Sequence, residues 1–163
     1  QEMKPKPQFP PADDRWAPFA SAARWALAAL LLASGLHKAA GGPEEFAAVL
    51  ETYDLLPQGA LMPFAVVLPW LETLLGLSLA AGYAVRAACA CAGLMFLSFI
   101  GALGSTIMRG MKLDNCGCFG AGIHLTPLQA MGLDTVLAGL AVFVFLKRGG
   151  WWKLDSWIDA GDP

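Results

Sequence analysis

The chain has 163 residues, of which 56% are hydrophobic and only 15% charged, and its mean hydropathy is +0.53. A soluble domain carries about 25% charged residues, so this composition points to a membrane protein. A net charge of −2 gives no electrostatic case for nucleic acid, and four cysteines are too few for a disulfide scaffold.

The opening stretch "QEMKPKPQFPPADDR" (1–15) is polar and proline-rich and reads as a disordered or surface-lying tail. Four apolar runs of roughly 20 residues follow, each long enough to cross a bilayer. They are expected at about 17–37, 60–82, 87–108 and 126–146. Arg24 interrupts the first run near one end, where a long side chain can snorkel to the interface. The polar lead and the poor cleavage site around "LASG" favour retention of this run over its removal as a signal peptide. Thr126 followed by Pro127 is an N-cap with proline at N1, which sets the start of the fourth span.

The basic residues set the orientation. Lys4, Lys6, Arg15, Arg24, Arg86, Lys147, Arg148 and Lys153 fall on one side, against Lys38, Arg109 and Lys112 on the other. Both termini are therefore expected in the cytoplasm. The loop 41–59 and the segment after span three are expected outside, in the periplasm of a diderm bacterium, with the inner membrane as the location. Within the loop, "PEEFAAVLETYDLLP" opens on Pro43 and two glutamates and repeats Phe46, Val49, Leu50, Tyr53 and Leu56 at helical spacing. That pattern predicts a short amphipathic helix over the mouth of the bundle. The fold class is all-α: a four-transmembrane-helix bundle (16–148) with one short helix in its first outer loop. Trp151, Trp152 and Trp157, beside lysines in 149–163, read as an anchor in the lipid headgroups.

The polar gap between spans three and four holds "LDNCGCFGAG" (113–122), with Cys116 and Cys118 separated by one glycine. Two thiols at this spacing close only a small ring, so the disulfide is strained, oxidising and readily exchanged. Arg109, Lys112 and the N-terminus of span four favour a thiolate. Two other readings stay open: an inert structural disulfide, or a soft-metal site of Cys116, Cys118 and His124, with Asp114 as a further ligand. The second pair, Cys89 and Cys91, sits two residues apart on a helix and points to nearly opposite faces, so it reads as small residues at a helix interface.

Glu72 and Asp134 lie inside spans two and four, where an acid costs roughly 2.5–3.5 kcal/mol on insertion scales unless it finds a partner. His37, Lys38 and Arg109, all at the outer end, are the candidate partners of these acids. The role of Glu72 is either proton movement during thiol exchange or binding of a small carrier, or else a packing ion pair or an acid that simply stays protonated; for Asp134 packing is the expectation. Pro69 and Trp70, just before Glu72, point to a kinked, wet helix there.

"SGLHKA" (34–39), "YDLLP" (53–57), "LPWLETLLGLSLAAG" (68–82) and above all "RGMKLDNCGCFG" (109–120) together resemble the DoxX-like superfamily of small four-helix membrane proteins, and within it the MauE family of methylamine utilisation. The resemblance implies a thioredoxin-like periplasmic partner and a disulfide-containing periplasmic client, and places the family's cysteine turn on Cys116 and Cys118, its first-span lysine on Lys38 and its second-span acid on Glu72. On this reading the chain exchanges disulfides on the outer face of the membrane, passing oxidising equivalents outward. A membrane quinone is the candidate acceptor of the electrons, by analogy of architecture alone. A metal- or small-solute-binding protein, and a structural subunit of a membrane complex, are the competing readings.

Overall fold

A computed structural model describes residues 15–110 and 126–147. Five helices follow in chain order: α1 (Ala17–Gly41), α2 (Pro43–Thr52), α3 (Gln58–Ala81), α4 (Val85–Met108) and α5 (Pro127–Leu146). The tail 1–14, the cysteine segment 111–125 with Cys116, Cys118 and His124, and the tryptophan-rich end 148–163 lie outside the described residues.

α1, α3, α4 and α5 are each long and apolar enough to cross a membrane. At 1.5 Å per residue, the 24-residue α3 is about 36 Å long, against a hydrocarbon core of about 30 Å. Their outward faces are apolar too: Val67, Trp70, Leu74, Leu94 and Leu128 are all more than half exposed. A helix that is hydrophobic on every face belongs in lipid. The spans match the sequence expectation closely, except that α1 runs four residues further and carries His37 and Lys38 within the helix.

Each span lies antiparallel to its neighbours. α1 packs most extensively on α3 and α4 on α5, and α1–α5 and α3–α4 contacts close the ring. The α3–α4 connection is short because α3 ends on Gly82 in the left-handed region (φ +70°). Tyr83 and Gly82 there donate backbone bonds to the Ser78 and Leu79 carbonyls. α5 starts as its sequence foretells. The Gln129 N–H donates to Thr126 Oγ1 (3.4 Å), and the Thr126 N–H donates to Gln129 Oε1 (3.1 Å), forming a capping box.

The main core joins Leu27, Ala28 and Leu31 of α1 to Leu75 and Leu79 of α3, to Ala92 and Phe96 of α4 and to Leu137 of α5. Lipid supplies no hydrophobic drive between helices, so close approach has to come from small residues. Gly35 and Gly76 supply it on facing helices. A Cβ at Gly35 would stand 2.6 Å from Thr73 Oγ1 and 2.7 Å from the Pro69 carbonyl oxygen. A Cβ at Gly76 would stand 2.8 Å from Leu32 Cγ and 3.1 Å from the Ala28 carbonyl oxygen. α3 remains one helix through Pro63 and Pro69, and the Thr73 hydroxyl donates to the Pro69 carbonyl (2.8 Å).

Two expectations about single residues need revision or sharpening. Arg24 does not snorkel outward; its side chain is fully buried, in the same stripe as Ala20, Leu27 and Leu31. The reason is helical phase: position 24 falls on the core-facing side of α1, and the guanidinium follows it inward while Trp25 takes the lipid side. Cys89 is buried and Cys91 exposed, and both are free thiols, as opposite faces of one helix require.

Candidate functional site

Three of the four buried charged side chains, Lys38, Glu72 and Asp134, meet at mid-depth in the bundle, whereas Arg24 is buried nearer the start of α1. Glu72 lies roughly 21 Å along α3 from its start. Lys38, near the end of α1, reaches it with a 2.6 Å contact from Nζ to Oε1, and both side chains are 2% exposed. Ser34, one turn before Lys38, completes the arrangement. Its hydroxyl accepts from Lys38 Nζ (2.9 Å) and donates to Glu72 Oε2 (2.9 Å). Both carboxylate oxygens and two of the three ammonium N–H groups are thereby engaged, which is the condition for carrying charges in a low-dielectric interior. Of the three candidate partners for Glu72, Lys38 takes the place; His37 is exposed, and Arg109 is engaged elsewhere.

Asp134 of α5 is also buried. It lines, with Ser34, Lys38 and Glu72, a cavity of about 20 Å³, the space of about one water. Three helices thus bring two acids, a base and a hydroxyl to one small cavity whose other walls are leucine and phenylalanine. Among the described residues no group of three histidine, cysteine, aspartate or glutamate side chains is placed to hold a metal ion.

A second and larger cavity, about 230 Å³, opens beside this cluster. The amphipathic helix expected in the first loop is its roof: Phe46 of α2 turns inward while Glu44, Glu45 and Glu51 stay exposed. Phe64 and Leu68 of α3 form one wall, and Phe99, Ala102 and Leu103 of α4 the other. Lys38 enters from the floor, its Nζ 5.4 Å from the Phe46 ring centroid and 5.7 Å from that of Phe99, within cation–π range.

Arg109, the C-cap residue of α4, fastens the rim of this cavity. Its Nη2 donates to the Tyr53 carbonyl (2.6 Å) and its Nη1 to the Asp54 carbonyl (3.3 Å). Asp54 is a non-glycine residue at φ +50°, a conformation that needs holding. The Asp54 carboxylate adds a long 3.9 Å ion pair to the same guanidinium, in solvent. Sequence reasoning assigned Arg109 to thiolate stabilisation or to Glu72. Its backbone acceptors, fifty-odd residues away, were not visible there. Ser34 was also missed, although its i, i+4 spacing to Lys38 was the available signal.

The cysteine segment departs from Gly110 and rejoins the described chain at Thr126. Both ends lie on the α2 side, where Tyr53, Leu103 and Ala130 share a small apolar cluster.

Comparison with known proteins agrees with this arrangement. Residues 16–151 match the family described as "Methylamine utilisation protein MauE". The chain is 36% identical over 117 residues to methylamine utilization protein MauE of Methylophilus methylotrophus, covering 70% of this chain and 58% of that protein. It is 38% identical over 120 residues to the protein of the same description from Paracoccus denitrificans (72% of this chain and 63% of that protein) and 35% identical over 94 residues to the one from Methylorubrum extorquens (58% and 50%). The chain therefore spans between half and two-thirds of the length of these relatives. No solved structure matches it. With four membrane-crossing helices and a family match that runs from the start of the first to beyond the end of the last, the chain is a multi-pass membrane protein of the MauE family.

Proposed function

We propose that this protein is a thiol–disulfide redox protein of the cytoplasmic membrane that uses Cys116 and Cys118 to support disulfide formation in a periplasmic client, together with a thioredoxin-like partner. The names of its relatives make methylamine utilisation the setting. The observation that carries the reading is the anchoring of the cysteine segment. Its two ends, Gly110 and Thr126, leave from and return to the α2 side of the bundle. By the distribution of lysine and arginine that side is the outer one, where disulfides persist.

The step balances within the pair and its partner. A thiolate of the partner attacks one sulfur of the Cys116–Cys118 disulfide, giving a mixed disulfide and releasing the other cysteine. The partner's second thiolate then attacks the partner's own sulfur in that mixed disulfide and expels the bonded cysteine of this chain as a thiolate, so the partner leaves oxidised by two electrons and the pair remains as a dithiol. Lys38 and Glu72 stand in support of this chemistry as a fixed, internally neutral charge pair beneath the cavity.

The test is trapping. Cys118→Ser and Cys116→Ser, each expressed in the native membrane, should give a covalent adduct on a non-reducing gel in at least one case, lost on reduction. No adduct with either variant overturns the proposal.

A further inference from the structure

The cavity roofed by α2 has a composition that selects its ligand. Its walls are aliphatic and aromatic apart from Ser98, and among the described residues Lys38 is the one charged side chain that lines it. That ammonium spends one N–H on Glu72 and one on Ser34. No acceptor for the third is found among the described residues, and the two rings that flank Nζ, Phe46 and Phe99, belong to the cavity wall.

Charge narrows the choice. Glu72 already neutralises Lys38, so an anionic headgroup would meet an excess of negative charge, and a cation would meet the ammonium. A plain hydrocarbon would leave a buried N–H unmet, at a cost in free energy. What fits is a neutral hydrogen-bond acceptor on a flat apolar body. Entry is from the lipid side: Leu55 and Phe64, on the rim, are about half exposed among apolar neighbours.

We propose that this cavity binds the ring of a membrane quinone, with one ring carbonyl oxygen accepting a hydrogen bond from Lys38 Nζ and the ring lying between Phe46 and Phe99. The proposal deepens the disulfide reading above and rests on it for its purpose: it gives the dithiol an electron acceptor. Dithiol plus quinone yields disulfide plus quinol. Two S–H bonds break, one S–S bond forms, and two electrons and two protons end on the quinone oxygens.

The experiment uses the full chain in detergent, titrated with decylubiquinone and read by tryptophan-fluorescence quenching. Binding should saturate and should survive in Cys116→Ser/Cys118→Ser, which cannot turn over. Loss of binding therefore counts against the cavity, whereas failure of partner trapping counts against the disulfide reading. Ala102→Phe fills the cavity from α4 and Leu50→Trp from α2, neither touching the ion pair. Each should weaken binding at least tenfold while thermal unfolding stays within a few degrees of the parent, and either one suffices if the other misfolds. Lys38→Met/Glu72→Met should weaken it as well. Unchanged affinity in a folded cavity-filling variant overturns the proposal. So does displacement of decylubiquinone by phosphatidylglycerol at equal concentration, which would make the cavity an acyl-ester site.

Discussion

Breaking the Lys38–Glu72 pair from one side should cost far more than removing it whole. Lys38→Met leaves the buried Glu72 carboxylate with one remaining donor, the Ser34 hydroxyl. Stranding one partner of a buried pair costs about 3–5 kcal/mol. Glu72→Met strands the ammonium in the same way, with Ser34 Oγ and two aromatic faces left to it. Lys38→Met/Glu72→Met removes both charges and fills the space with side chains of similar length. Such replacements are often neutral, or stabilising by about 1–4 kcal/mol. The two single losses therefore should not add, and the coupling energy should be about 6 kcal/mol or more. The assay is reversible unfolding of all four proteins in mixed dodecylmaltoside and dodecyl sulfate micelles, followed by far-ultraviolet circular dichroism. Additivity within about 0.5 kcal/mol, the behaviour of independent sites, would refute the reasoning.

Gly35→Ala should destabilise the same fold by about 1–3 kcal/mol, the usual cost of overpacking, because two of the three atoms its Cβ meets are backbone. Gly101→Ala, whose Cβ meets nothing within 4 Å, should be neutral or stabilising by about 0.5–1 kcal/mol; equal effects of the two would contradict the packing described. Thr126→Ala should cost about 1 kcal/mol by loss of the capping box, read as a lower unfolding midpoint, and a change below 0.3 kcal/mol would contradict it. Arg109→Gln should free the 53–57 segment and speed chymotryptic cleavage at Tyr53 or Leu55, while a cleavage rate equal to the parent's would show that the guanidinium holds nothing there.

The spans were legible because their signal is local: length and hydropathy alone separate four long apolar runs from polar gaps. The α2 helix was legible for the same reason, since Pro43, its two glutamates and the spacing of Phe46, Val49 and Leu50 all lie within one short stretch. The ion pair was legible only in part. Sequence supplied Glu72 and three cations, but choosing Lys38 requires knowing that α1 and α3 touch at Gly35 and Gly76. Arg24 was misplaced because hydropathy placed it by depth, whereas its phase with Ala20, Leu27 and Leu31 determines its direction. The 230 Å³ cavity had no sequence signal; it exists where α2 crosses the gap between α3 and α4, and depends on tertiary placement alone.

The central claim is that Cys116 and Cys118 cycle between disulfide and dithiol. The direct measurement is the midpoint potential of that pair in the purified full chain, equilibrated in thiol redox buffers and read by mass after alkylation. Catalytic disulfides lie well above about −300 mV and structural ones below it. The account predicts a two-electron midpoint more oxidising than about −250 mV; a pair that stays oxidised below about −300 mV would contradict it.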